Sequence, residues 1–60
     1  MSVTLNVVDL RGQQLASEEF GSPDGVLERV EALKLEWPKA RFIQVCANGA
    51  PLFSIDLKRT

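Results

Sequence analysis

Cys46 is the one soft nucleophile in the chain, and histidine, the usual base for activating it, is absent. A lone thiol between Val45 and Ala47 reads as a small, buried strand residue. The carboxylates that could share a proton come in two pairs, Glu18 with Glu19 and Glu28 with Glu31. Neighbours in a strand point to opposite faces, so Glu18 and Glu19 do not converge. Glu28 and Glu31 fall on the solvent side of an amphipathic helix, where neither is set up for proton transfer. One thiol without histidine leaves a zinc site short of ligands and precludes an intrachain disulfide. No serine has a histidine partner, and the four glycines never cluster into a phosphate-binding loop. The expectation is a protein that is not an enzyme and takes neither cofactor nor metal.

What remains is surface chemistry. Net charge is −1, yet the charges are unevenly spread. Glu18, Glu19, Asp24, Glu28, Glu31 and Glu36 crowd the middle against Arg29 and Lys34, whereas Lys39, Arg41, Lys58 and Arg59 face only Asp56 after it. Those four bases, with Arg11, could line one end of the sheet and are candidate nucleic-acid contacts, Phe42 offering a stacking platform. Charges at strand ends also serve simply to keep an edge soluble, and the overall acidity favours that reading. The acidic helix could likewise act as a decoy that occupies a nucleic-acid site on another protein.

Two apolar anomalies point elsewhere. Leu35 lies nine residues from Val26, about half a turn away from the helix's apolar stripe. Val8, Phe42, Cys46 and Leu52 interrupt an otherwise polar sheet face. These five residues are the candidate partner contacts, since contiguous apolar patches mark interaction surfaces. The expected function is a protein-interaction or regulatory module that self-associates as a homodimer through the outer sheet face. The protein partner is unspecified, and nucleic acid is the less favoured alternative.

The elements that must position these residues fit in one domain, residues 1–60. A chain this short buries only about 60% of its unfolded surface and is marginal alone, which also favours a second copy. With 45% apolar and 25% charged residues the composition is that of a globular domain rather than a disordered chain. No apolar run approaches a membrane span and no signal-peptide pattern opens the chain, so no membrane association and a cytoplasmic location are expected.

Val26, Val30, Leu33 and Trp37 recur at helical spacing, with Ser22 as N-cap, Pro23 at the first position and Pro38 as the stop. Val3, Leu5 and Val7 alternate as a half-buried strand, returning after Gly12 as Gln14 to Phe20. A loop of Leu10, Arg11 and Gly12 pairs Val7 with Leu15. Leu15 and Phe20 have opposite parity and share a face only if a bulge intervenes. In the last third, Asn48-Gly49 suggests a two-residue turn. That turn pairs Ala47 with Ala50 and would put Phe53 and Ile55 on the opposite side from Ile43 and Val45. A three-residue loop, Ala47 to Gly49, with Gly49 left-handed and Asn48 right-handed, pairs Ile43 with Phe53 and keeps the large residues together, with Trp37 buried beneath the helix. The predicted fold is α+β, β-hairpin–helix–β-hairpin (ββαββ): a four-stranded antiparallel sheet with one helix packed on one face. The layout is similar to that of many small bacterial and phage domains.

Overall fold

The computed structural model describes residues 2–57. Its elements are β1 (Val3–Asp9), β2 (Gln14–Phe20), α1 (Val26–Glu36), β3 (Ala40–Ala47) and β4 (Ala50–Asp56). The strands form one antiparallel sheet in the order β2-β1-β3-β4, with α1 across one face, so the chain has the α+β, ββαββ architecture. The alternating Val3, Leu5 and Val7 pack with Ile43, Val45 and Leu57 beneath Val26, Val30 and Leu33 of the helix. Trp37 is half-buried at the border of this core rather than enclosed by it.

The helix starts one turn later than its capping residues suggest. Gly25, not Ser22, is the N-cap, at φ 78 with no side-chain hydrogen bond. Pro23 and Gly25 instead make a turn, in which Val26 N–H donates to Pro23 O at 3.3 Å. A left-handed glycine needs no Cβ relief and breaks helical geometry, so the helix begins where Val26 first meets the core. At the other end Trp37 N–H donates to Leu33 O at 2.9 Å, and Pro38 prevents continuation.

Each strand pairing carries one bulge. The Leu10-Arg11-Gly12 loop forms as expected: Gly12 has φ 85, Asp9 N–H donates to Gln13 O at 3.0 Å, and Val8 pairs with Gln14. Beyond it the ladder shifts, and Val7 faces Ala16 rather than Leu15. Leu15 is the extra residue, and this is how Leu15, Ala16 and Phe20 all reach the core side. In the β1–β3 pairing the extra residue is Arg41.

The β3–β4 hairpin corrects the sequence reading. Ala47 pairs with Ala50 across a two-residue turn in which Asn48 and Gly49 both have positive φ, 52 and 84. The ladder then slips at Leu52, so Val45 faces Phe53 and Ile43 faces Ile55. Turn preference and side-chain parity were not in competition, because a bulge inside β4 satisfies both. Phe53 is on the expected face but remains 55% exposed, on the edge strand β4.

Arg29 fastens the helix to β2. Its Nε and Nη2 donate to Glu18 Oε1 and Oε2 at 2.6 and 2.5 Å, and Nη1 donates to Glu36 Oε2 at 2.8 Å. The hydrogen bond from Arg29 holds the Glu18 carboxyl below the usual glutamate range, outweighing the opposing effect of partial burial. A lowered folded value means that the stabilisation is present above the unfolded pKa, about 4.3, and is lost as pH falls through the folded value. Glu18→Gln should therefore be less stable than the parent at pH 7, with the gap closing on acidification. Urea titrations at neutral and acid pH measure this, and a gap independent of pH would remove the assigned role.

Candidate functional site

The outer face of the sheet is divided by a polar row. Register places Ser17, Asn6, Gln44 and Ser54 side by side across all four strands. Ser17 Oγ donates to Asn6 Oδ1 at 2.9 Å, and Asn6 Nδ2 donates to Cys46 Sγ at 3.7 Å. Val8 and Phe42 are direct register partners on one side of this row, both half-buried. Cys46 is buried on the other side of it. Leu52 sits at the bulge of β4 and is 60% exposed. Leu35, 83% exposed, is on the helix and so on the opposite face of the molecule. The five residues singled out as partner contacts thus fall in four places rather than one patch.

Within the sheet, the exposed large apolar side chains fall on an edge strand. Both β2 and β4 are edges, and they differ in chemistry. β2 carries Glu18 and Glu19, and charge on an edge discourages further pairing. β4 has no charged side chain from Ala50 to Ile55, and Leu52 and Phe53 are exposed on it. Pro51, which has no ladder donor to offer, stands near its start. Phe53 was legible as apolar but not as exposed.

The basic residues converge better than the apolar ones. The antiparallel order brings the β1–β2 loop, the start of β3 and the end of β4 to one end of the sheet. The bulges at Leu15 and Arg41 lie there too, on either side of β1. Two shallow depressions meet at Leu10 and Lys39. One, of about 450 Å³, is framed by Asp9, Arg11, Gln13 and Leu15, and the other, of about 210 Å³, by Ala40, Arg41 and Leu57. Asp9 is occupied in holding the loop, since its Oδ1 accepts from the N–H groups of Arg11 and Gln13 at 2.9 Å each. Arg41 Nε lies 3.3 Å from Asp56 Oδ1, near enough for charge attraction but not aligned as a hydrogen bond. The Arg41 guanidinium also stands 5.7 Å from the Phe42 ring centre. Among the described residues Arg11 and Lys39 have no carboxylate partner. Lys58 and Arg59 lie outside the described residues.

Leu10, 76% exposed, and Leu27, 75% exposed, are further surface residues that pattern reading passed over. Leu27 sits beside Val26 of the buried stripe, and only its eight-residue spacing from Leu35 gives it away. Among the described residues no group of three thiol or carboxylate side chains is placed to hold a metal, and no helix is long and apolar enough to cross a membrane. Comparison with protein-family models, curated proteins and solved structures finds no match to the chain.

Proposed function

We propose that the chain is a small non-enzymatic protein-interaction module that self-associates as a homodimer, with β4 as the contacting edge. The observation that supports it is the uncharged, exposed edge from Ala50 to Ile55. Past Pro51 and the bulge at Leu52, the edge from Phe53 to Ile55 presents backbone donors and acceptors to another strand. A second β4 is a self-complementary partner, because a two-fold axis normal to the sheet makes the pairing antiparallel. That axis puts both Phe53 rings on one face, in the gap between two helices. Pairing through β2 would instead set glutamates of both copies close together. Leu52, on this edge, is the sequence-level candidate that the reading retains at its centre; Val8 and Phe42 lie further in on the outer face.

Light scattering after size exclusion at micromolar concentration tests the dimer. Leu52→Lys places a charge on the edge at an exposed position and should weaken the dimer at least about tenfold, or about 1.4 kcal/mol, without altering the fold. A parent chain that stays monomeric at high concentration, or a lysine variant that dimerises as well as the parent, would overturn the assignment.

A further inference from the structure

The groove around Leu10 and the outer ridge of the helix have opposite charge, and each exposes leucine beside it. We propose that they are the two halves of a second, head-to-tail contact between copies of this chain. The contact extends the interaction-module reading and does not depend on pairing through β4.

On the groove side, Arg11 and Lys39 flank Leu10 and have no carboxylate partner among the described residues. Asp9, the acid nearest Arg11 in the chain, is engaged with the loop N–H groups; Glu36, the acid nearest Lys39, is engaged with Arg29, and Asp56 with Arg41. Leu10 is 76% exposed in a loop that four hydrogen bonds define. A fixed loop that presents a leucine between two cations is a surface already shaped for a partner.

On the helix side, Leu27, Glu31 and Leu35 follow one another at four-residue steps, a ridge about 12 Å long. Leu27 and Leu35 are its two exposed apolar ends. Glu28 and Glu31 supply the negative charge; Glu31 has a 3.5 Å contact with Lys34, and Glu28 has no ion pair among the described residues. The groove sets one leucine between two cations and the ridge sets carboxylates between and beside two leucines, so apolar and oppositely charged groups can meet across one interface. The ridge faces away from the sheet and the groove lies at the sheet's end, so the two cannot meet within one molecule.

A nucleic acid is the less suitable occupant. No aromatic ring lines the groove for base stacking, and the chain's net charge of −1 does not draw a polyanion toward it. In a head-to-tail contact each copy keeps one groove or one ridge free, so assembly continues past a dimer unless the geometry closes into a ring. Its ion pairs make it sensitive to salt, unlike the apolar β4 edge.

The experiment is run in the Leu52→Lys background, so that failure of the β4 dimer leaves it intact. Sedimentation should show mass rising with concentration at low salt and falling back to monomer at about 0.5 M salt, where screening is short-ranged. R11E/K39E and E28K/E31K, added separately, should each associate at least about tenfold more weakly, because like charges then face each other. Mixing the two variants should restore association, since the acidic ridge of the first fits the unchanged groove of the second. Leu10→Ser, which leaves every charge in place, should weaken it as well. A monomeric parent at low salt, or a mixture that stays monomeric, overturns the proposal. So does retention of the parent on single-stranded oligonucleotide, lost in R11E/K39E, without self-association.

Discussion

Val30→Asp should leave the chain unfolded at neutral pH, whereas Glu31→Ala, one residue on, should leave stability within about 0.5 kcal/mol of the parent. Val30 is buried in the middle of the apolar stripe that α1 lays on β1 and β3, between Val26 and Leu33. Removing it forfeits roughly 1.5–3 kcal/mol of apolar burial. The carboxylate put in its place would cost several kcal/mol more, because among the described residues no polar or charged side chain is buried there to pair with it. A domain of this length has only about 3–9 kcal/mol in total, at 0.05–0.15 kcal/mol per residue. The sum therefore reaches or exceeds what the fold can lose. Glu31 is exposed, and its ion pair with Lys34 is a surface contact of the weakest kind. Circular dichroism and urea denaturation of the two variants give the comparison. Similar behaviour of both would mean that the helix presents a different face to the sheet.

The helix face was legible because a 3.6-residue period survives in four residues, Val26, Val30, Leu33 and Trp37. Strand β1 was legible because Val3, Leu5 and Val7 alternate with polar neighbours. What the sequence does not carry is the width of the sheet relative to the helix. Four strands at about 4.8 Å spacing span about 14 Å between the outer axes, and side chains add to that; a helix is about 10–12 Å across. One helix cannot cover four strands, and which strand is left out depends on the order β2-β1-β3-β4. That is why Phe53 could be assigned to the right face and still be exposed.

The convergence of Arg11, Lys39 and Arg41 at one end of the sheet was legible, because antiparallel hairpins return the chain to the same end; that Leu10 stands exposed between Arg11 and Lys39 was not. The helix start misled because Ser22 and Pro23 are good first-turn residues locally, while Gly25 takes a left-handed conformation that the helix cannot pass through. In each case local chemistry was overruled by geometry several residues away.

The β3–β4 turn offers the sharpest separation of the two registers, and the expected result is that Asn48→Ala and Gly49→Ala both destabilise by about 1 kcal/mol or more. Both residues have positive φ, as a two-residue turn with this twist requires. A Cβ at Gly49 would meet nothing within 4 Å, so its cost is backbone strain and not a clash. Asn48 tolerates the left-handed region better than alanine does, and it also ties the turn to the chain's start. Its Oδ1 accepts from Ser2 N–H at 3.1 Å, and its own N–H donates to Ser2 O at 2.8 Å. Asn48→Gly separates these contributions: it relieves the strain and removes only the side-chain bond to Ser2, so it should cost less than Asn48→Ala. In the three-residue loop Asn48 would be right-handed, alanine there would be nearly harmless, and only Gly49 would be sensitive. Urea denaturation of the three variants decides between them. A silent Asn48→Ala beside a costly Gly49→Ala would move the bulge from Leu52 into the turn and straighten β4. Leu52 would then be an ordinary ladder residue, and the exposed edge on which self-association rests would have a different register.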